Sequence, residues 1–241
     1  MIHETATIQQ GASVAADAVI GPFCNIGKDV VIGSGVVIAS NVIIKGKTTI
    51  EENVKIFSFA AIGNESSTIR IGKNTHVREF AQIGIVETEE PFSIDIANDN
   101  FVMAYVQILG GVKIANNCVF TNAVRLYENV VCEERVIIGG LSSIEPNNRI
   151  GTGVMIGGAS YVNHDVPPFC LVEGNRSSIK GLNIIGLRRR LQNKQDIEDI
   201  KAAYKKLLSH GADKEAAKTL ADATNNEYVK RFAEAVAESN L

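Results

Sequence analysis

An aliphatic residue returns at every sixth position along most of this 241-residue chain. Stepping from Ile2 gives Ile8, Val14, Ile20, Ile26, Ile32, Ile38, Ile44, Ile50, Ile56 and Ile62 without a failure. A second phase runs Ile71, Val77, Ile83, and a third runs from Ile96 through Ile108, Ile114, Phe120 and Ile138 to Val162. Neither the helical period of 3.6 nor the strand period of 2 fits so long a spacing; a short strand followed by a tight corner does. One hexad cannot bury its own aliphatic residue, so that residue must stack on its equivalents in the coils above and below. Three sides per coil put equivalent positions eighteen residues apart. Gly and Asn after the aliphatic, as in "IGKDV", "IGSGV" and "IANNC", suit corners that need positive φ.

The pattern slips at "GNESSTIR" and at "GIVETEEPFSID", and both are expected to project as loops, where function concentrates on rigid scaffolds. It stops at "NHDVPPF", where two prolines deny further ladder bonds. Beyond lie three amphipathic segments. "KQDIEDIKAAYKKLLSHG" sets Ile197, Ile200, Tyr204, Leu207 and Leu208 on one face, with Gly211 able to end the helix, and "KEAAKTLADA" follows it. "NEYVKRFAEAVAES" turns Val229, Phe232, Ala233 and Val236 inward. The expected boundary separates a coil over 1–183 from a helical domain over 184–241.

A net charge of -3 and the absence of Trp argue against nucleic-acid binding. No run of about 18 apolar residues exists, so no membrane span is expected, and "MIHETATIQQ" does not read as a secretion signal. The four cysteines form no CxxC pair and read as packed thiols of a cytoplasmic protein rather than metal ligands or disulfides. No Walker-type loop, GxGxxG or zinc spacing is present, and no cofactor or metal is expected.

The segments "NFVMAYV", "IIGGLSSI", "VMIGGAS", "DVPPFCLVEGNRSSIKGLN" and "GLRRR", with the helical tail, resemble the UDP-N-acetylglucosamine O-acyltransferase (LpxA) family. The resemblance covers nearly the whole chain. It implies an all-β left-handed parallel β-helix, a hexapeptide-repeat solenoid, with a C-terminal α-helical domain. It also implies a homotrimer with active sites between neighbouring prisms, acting in lipid A biosynthesis. Such enzymes move a 3-hydroxyacyl chain from acyl carrier protein to a hydroxyl, or in some members an amine, of a UDP-sugar. The resemblance carries Asn183, Arg189 and Arg190 over as substrate and nucleotide-phosphate contacts, and Gly140 and Gly158 as bare backbone along the acyl groove.

The same resemblance puts Gly110 where the family has its catalytic histidine, Gly111 where it has an orienting aspartate, and Gln107 where it has another histidine. Asn129, Glu145, Pro146 and Ile185 also depart from the family pattern. A positioned base contributes about 10²–10⁴ in rate, and glycine supplies none. Glu128, eighteen residues after Gly110, should stack one coil above it on the same outward column and is the candidate substitute base. His76 and His164 are candidates from a neighbouring chain, while His3 and His210 lie near the start and in the tail. An amine nucleophile, needing less help from a base, would be a third route. The alternative is a catalytically inactive homologue that serves as a binding or assembly protein.

Overall fold

The computed structural model describes residues 1–85, 90–209 and 211–241. His210 and all but Glu90 of the "ETEE" run lie outside the described residues. Most strands of the coil are two residues long, as in Val19–Ile20, Gln107–Ile108 and Arg125–Leu126, and each pairs in parallel with the strand one coil away. Among the described residues they form three faces of nine, eight and ten strands, visited in rotation as far as Tyr161–Val162, after which the last two strands both join the ten-stranded face. The register is eighteen residues in the regular coils, for example Gln107 beside Arg125 and Lys113 beside Val131. The interior is the aliphatic stack that the spacing dictates: Ile26, Ile44, Ile62, Ile83, Ile108, Leu126 and Ile144 are all fully buried on one face. Removing one such side chain from water is worth about 1.5–3 kcal/mol, so the repeat is a core built one residue per side. All four cysteines are buried and free of disulfides.

The phase slips are not simple loops. Ser67–Ile71 and Phe92–Ile96 are five-residue strands that pair with each other in register, Ser67 beside Phe92 and Ile71 beside Ile96. Ser67, Ile69 and Ile71 point inward while Thr68 and Arg70 face out. That alternation of period 2 extends the eight-stranded face instead of interrupting it. Arg70 ties the widened region by donating to Asp95 at 2.6 Å and to Glu51 at 3.2 Å.

The corner from the nine- to the eight-stranded face carries Gly111, Asn129 and Asn147 at positive φ; the next carries Asn53, Asn74, Asp99, Asn117 and Gly153, and also Arg135 and Phe169. Gly, Asn and Asp accept the left-handed region at low cost. The third corner, from the ten- to the nine-stranded face, places Phe23, Phe59, Phe80, Tyr105 and Leu141 there, where a bulky residue is an outlier.

The last strand, Ser178–Leu182, runs antiparallel to Cys170–Glu173. Four helices follow: α1 (Ile184–Arg190), α2 (Lys194–Leu208), α3 (Lys214–Ala223) and α4 (Glu227–Glu238). The short α1 is an addition to the three helices the sequence pattern predicts. Asn183 starts it by accepting from Gly186 N at 3.0 Å. Ile197, Ile200 and Leu207 of α2 and Val229, Phe232, Ala233 and Val236 of α4 are buried as their spacing requires, with Tyr204 and Leu208 partly so. The second helix ends at Leu208, and Gly211 lies just beyond it at φ +102°.

Candidate active site

The residues singled out from the sequence lie on three different edges of one prism. Gly110 and Glu128 are successive members of one column at the corner from the nine- to the eight-stranded face. Gly111 N donates to Ser93 O at 2.8 Å and Asn129 N to Gly110 O at 3.0 Å, so the column reads Phe92, Gly110, Glu128, Pro146. Glu128 is exposed and directly above Gly110, about 4.8 Å along the axis by the spacing of paired strands.

Neither glycine leaves a vacancy. A β-carbon on Gly110 would lie 3.2 Å from Cδ2 and Cγ of Phe92 and 3.3 Å from its Cβ. At Gly111 the backbone has φ +78°, and a β-carbon would run into Asn129 Oδ1. Asn129 itself sits at φ 60° and donates to Asn147 Oδ1 at 3.1 Å, an amide ladder along the edge. Gln107 donates to Gln82 at 3.1 Å. The Glu145 carboxylate, and after it burial, pushes the Tyr161 phenol up.

Neither His76 nor His164 stands beside Gly110 within the chain. His76 is on the ten-stranded face, across the prism from Gly110, with its ring against Phe57 and Phe101 at 6.5 and 5.5 Å. Burial first, then the charges of Lys55 and Arg78, holds its pKa below the ordinary value. His164 belongs to the Gly110 column but three coils up, on the order of 14 Å away at one strand spacing per coil. Its Nδ1 is 2.8 Å from Asp165 O, and its Nε2 is 3.4 Å from both Ser177 O and Ser177 Oγ.

Arg189 and Arg190 occupy the second edge, between the eight- and ten-stranded faces. There α1 overhangs a cavity of about 340 Å³ that Arg135, Arg231, Phe169 and Tyr228 also line. The half-buried Arg190 donates to Arg135 O at 3.1 Å. Its guanidinium lies against Gly153, where a β-carbon would collide with Nη1. Burial and the neighbouring Arg135 charge both lower its pKa. No carboxylate lies within 4 Å of any of these four guanidinium groups among the described residues, and Glu134 is the only acidic residue lining the cavity. Four cations around one acid make an anion site. Asn183 is committed locally: its Oδ1 caps α1 and its Nδ2 donates to Gly153 O at 3.0 Å. Its part is to aim the helix that carries the arginines.

Gly140 and Gly158 share the third edge, in adjacent coils, with Ala159 N donating to Gly140 O at 2.8 Å. A β-carbon on Gly158 would meet only Gly140 O at 3.3 Å and Gly140 N at 3.9 Å. Neither Met155 nor Arg176 comes within 4 Å of that point, while a β-carbon on Gly140 would meet Asn122 O at 3.1 Å and Thr121 Oγ1 at 3.6 Å.

Comparison with known proteins decides the family. A family model described as UDP-N-acetylglucosamine O-acyltransferase, domain 2, matches residues 165–241, and a bacterial transferase hexapeptide model of six repeats matches 11–46. An acyl-[acyl-carrier-protein]–UDP-N-acetylglucosamine O-acyltransferase of Aliarcobacter butzleri is 44% identical over 242 residues, covering 96% of this chain and 93% of that protein. The chain belongs to the UDP-N-acetylglucosamine O-acyltransferase family. The solved UDP-N-acetylglucosamine acyltransferase of Francisella novicida superposes with a TM-score of 0.90 at 31% identity, covering 100% of this chain and 92% of that one. That of Campylobacter jejuni gives 0.81 at 35%, covering 99% and 97%. This acyltransferase-family chain is a left-handed β-helix, as those structures are.

Sequence reasoning missed Phe92, which stands eighteen residues before Gly110 and could have been counted to. It also missed Arg135 and Arg231, which lie too far from "GLRRR" in the chain for any local motif to join them.

Proposed function

We propose that this chain is an acyltransferase of lipid A biosynthesis that moves a 3-hydroxyacyl group from acyl carrier protein to a UDP-amino sugar, working as a cytoplasmic homotrimer. The observation that carries this reading is the cavity under α1, where Arg189 and Arg190 stand without carboxylate partners and match a nucleotide diphosphate. Gly140 and Gly158 leave room for the acyl chain. Glu128 takes the proton from the acceptor hydroxyl as its oxygen forms the new C–O bond, and returns it to the departing pantetheine sulfur as the thioester bond breaks.

These parts face three different directions on one prism, so they meet only where copies adjoin. The third edge favours such packing. Phe59, Phe80 and Tyr105 stack with ring centroids 5.0 Å apart and planes within 4°, and they remain 51%, 42% and 57% exposed. Bulky residues held in the left-handed region cost about 1–2 kcal/mol each, a cost that burial against a second and third copy offsets.

A second reading, a non-catalytic homologue that binds the same ligands, is favoured by one observation: Phe92 packs where the family's base would stand. The purified chain, given 3-hydroxyacyl carrier protein and either UDP-N-acetylglucosamine or its 3-amino counterpart, separates the two. Acyl-sugar product supports the transferase. Tight sugar-nucleotide binding with no product from either acceptor supports the binding protein and ends the transferase reading.

A further inference from the structure

We propose that Phe92 is a positioning residue that crowds position 110 against a side chain and thereby leaves proton removal to the next residue of the column, Glu128. The catalytic half of this rests on the transferase reading above; the closure stands on packing alone. Gly111 is glycine for its own backbone, at φ +78°, but Gly110 is not in the left-handed region. Its backbone would accept an ordinary L-residue, and the obstacle is the aromatic side chain beside it. The Phe92 atoms nearest a β-carbon at 110 include its own Cβ at 3.3 Å as well as Cγ and Cδ2 at 3.2 Å. Rotating the ring moves Cδ2 but not Cβ, so a side chain at 110 requires Phe92 to give way by a few tenths of an ångström. Further along the same ring edge stands Gly84, where a β-carbon would meet Phe92 Cε2 at 3.2 Å and Ile69 Cδ1 at 2.9 Å. The ring edge thus runs past two positions that carry no side chain. Phe92 is itself partly buried against the core and Leu109 is buried beside it. An aromatic ring laid over glycine in a neighbouring strand shields backbone that would otherwise face water. Phe92 and Gly110 are therefore one packing unit, and restoring an imidazole at 110 requires cutting back Phe92 as well.

The test compares the wild type with Gly110→His, Phe92→Ala and the double variant, reading thermal unfolding, UDP-N-acetylglucosamine binding and the pH profile of kcat/KM. Gly110→His alone should lower Tm by several degrees and give no gain in rate. In the double variant the two Tm losses should fall well short of additive. Its rate should exceed that of Gly110→His by about 100-fold or more, with a new ionisation at about 6.5 that belongs to the imidazole. Additive Tm losses, or a Gly110→His protein as stable as wild type, would overturn the closure. A single Gly110→His variant that gains the full rate and the imidazole profile with Phe92 in place would overturn it equally. If no variant and no wild type turns over while the sugar nucleotide binds, the transferase reading falls, and the Tm cycle still decides the role of Phe92.

Discussion

At the scale of single residues, the site is defined by what lacks a partner. Glu133 on the same coil is neutralised: it accepts from Thr152 Oγ1 and Arg149 Nε, both at 2.7 Å. Although burial raises the Glu133 pKa, those bonds outweigh it and hold the carboxyl below its usual range. Arg190 has no such relief, and its guanidinium is fixed in orientation by Arg135 O and the bare Gly153 backbone. A planar fork in that slot matches a phosphate in two places where an ammonium matches one. Arg190→Lys should therefore weaken UDP-sugar binding by about 10–100-fold, the equivalent of one charged hydrogen bond of about 1.5–3 kcal/mol, as read by calorimetric titration. Gly110 is the opposite case, a position defined by what fills it.

At the scale of elements, each face of the coil has its own outward column. The outward column of the ten-stranded face runs Val19, Val37, Lys55, His76, Phe101, Val119, Ile137 and Met155 in paired succession, so His76 stands between a lysine and an apolar run. Its pKa lies below that of a free imidazole, so the unfolded chain binds more protons and stability increases with pH through the interval ending at about 6.5. The contribution is complete above that pH and is lost as acid protonates the ring beside Lys55 and Arg78. Replacing His76 with Gln should flatten the dependence of Tm on pH below about 6.5, measurable by calorimetry in a buffer series.

Much of this scale was legible in the sequence. Counting by six identifies the buried residue of each side, and helical spacing identifies the inward face of α4, because both depend only on local periodicity. The slips misled because "STIRI" and "FSIDI" change from period 6 to period 2 without a break, a change visible only if alternation is sought inside an apparent loop. Register across the slip escaped too. The distance from Phe92 to Gly110 is one ordinary coil, but where a ring lies across its neighbour depends on side-chain torsion, which spacing does not encode. The α1 cavity gathers residues from the coil, the first helix and the last, and only tertiary folding joins them.

At the scale of the whole molecule, the trimeric reading proposed above makes one prism an incomplete site. Its base candidate, its arginine cavity and its glycine strip lie on separate edges, and the third edge carries the stacked rings of Phe59, Phe80 and Tyr105 in strained backbone. Phe80→Asn separates folding from assembly, since Asn tolerates the left-handed region and already serves at Asn41 on the same edge. The isolated chain should keep its stability or gain up to about 1 kcal/mol, while the trimer should dissociate at concentrations where the wild type is intact. Sedimentation velocity against urea unfolding would read both. A variant that stays trimeric at wild-type concentrations would place the subunit interface elsewhere.

The account as a whole depends on Glu128 standing in for the absent imidazole. Acyl transfer by the wild type and by Glu128→Gln, measured side by side with saturating acyl carrier protein thioester and varied UDP-sugar, tests that directly. The expected result is a fall in kcat of about 10²–10⁴ with KM for the sugar nucleotide little changed. A Gln variant as fast as the wild type, or a wild type that binds both ligands and makes no product, would contradict it.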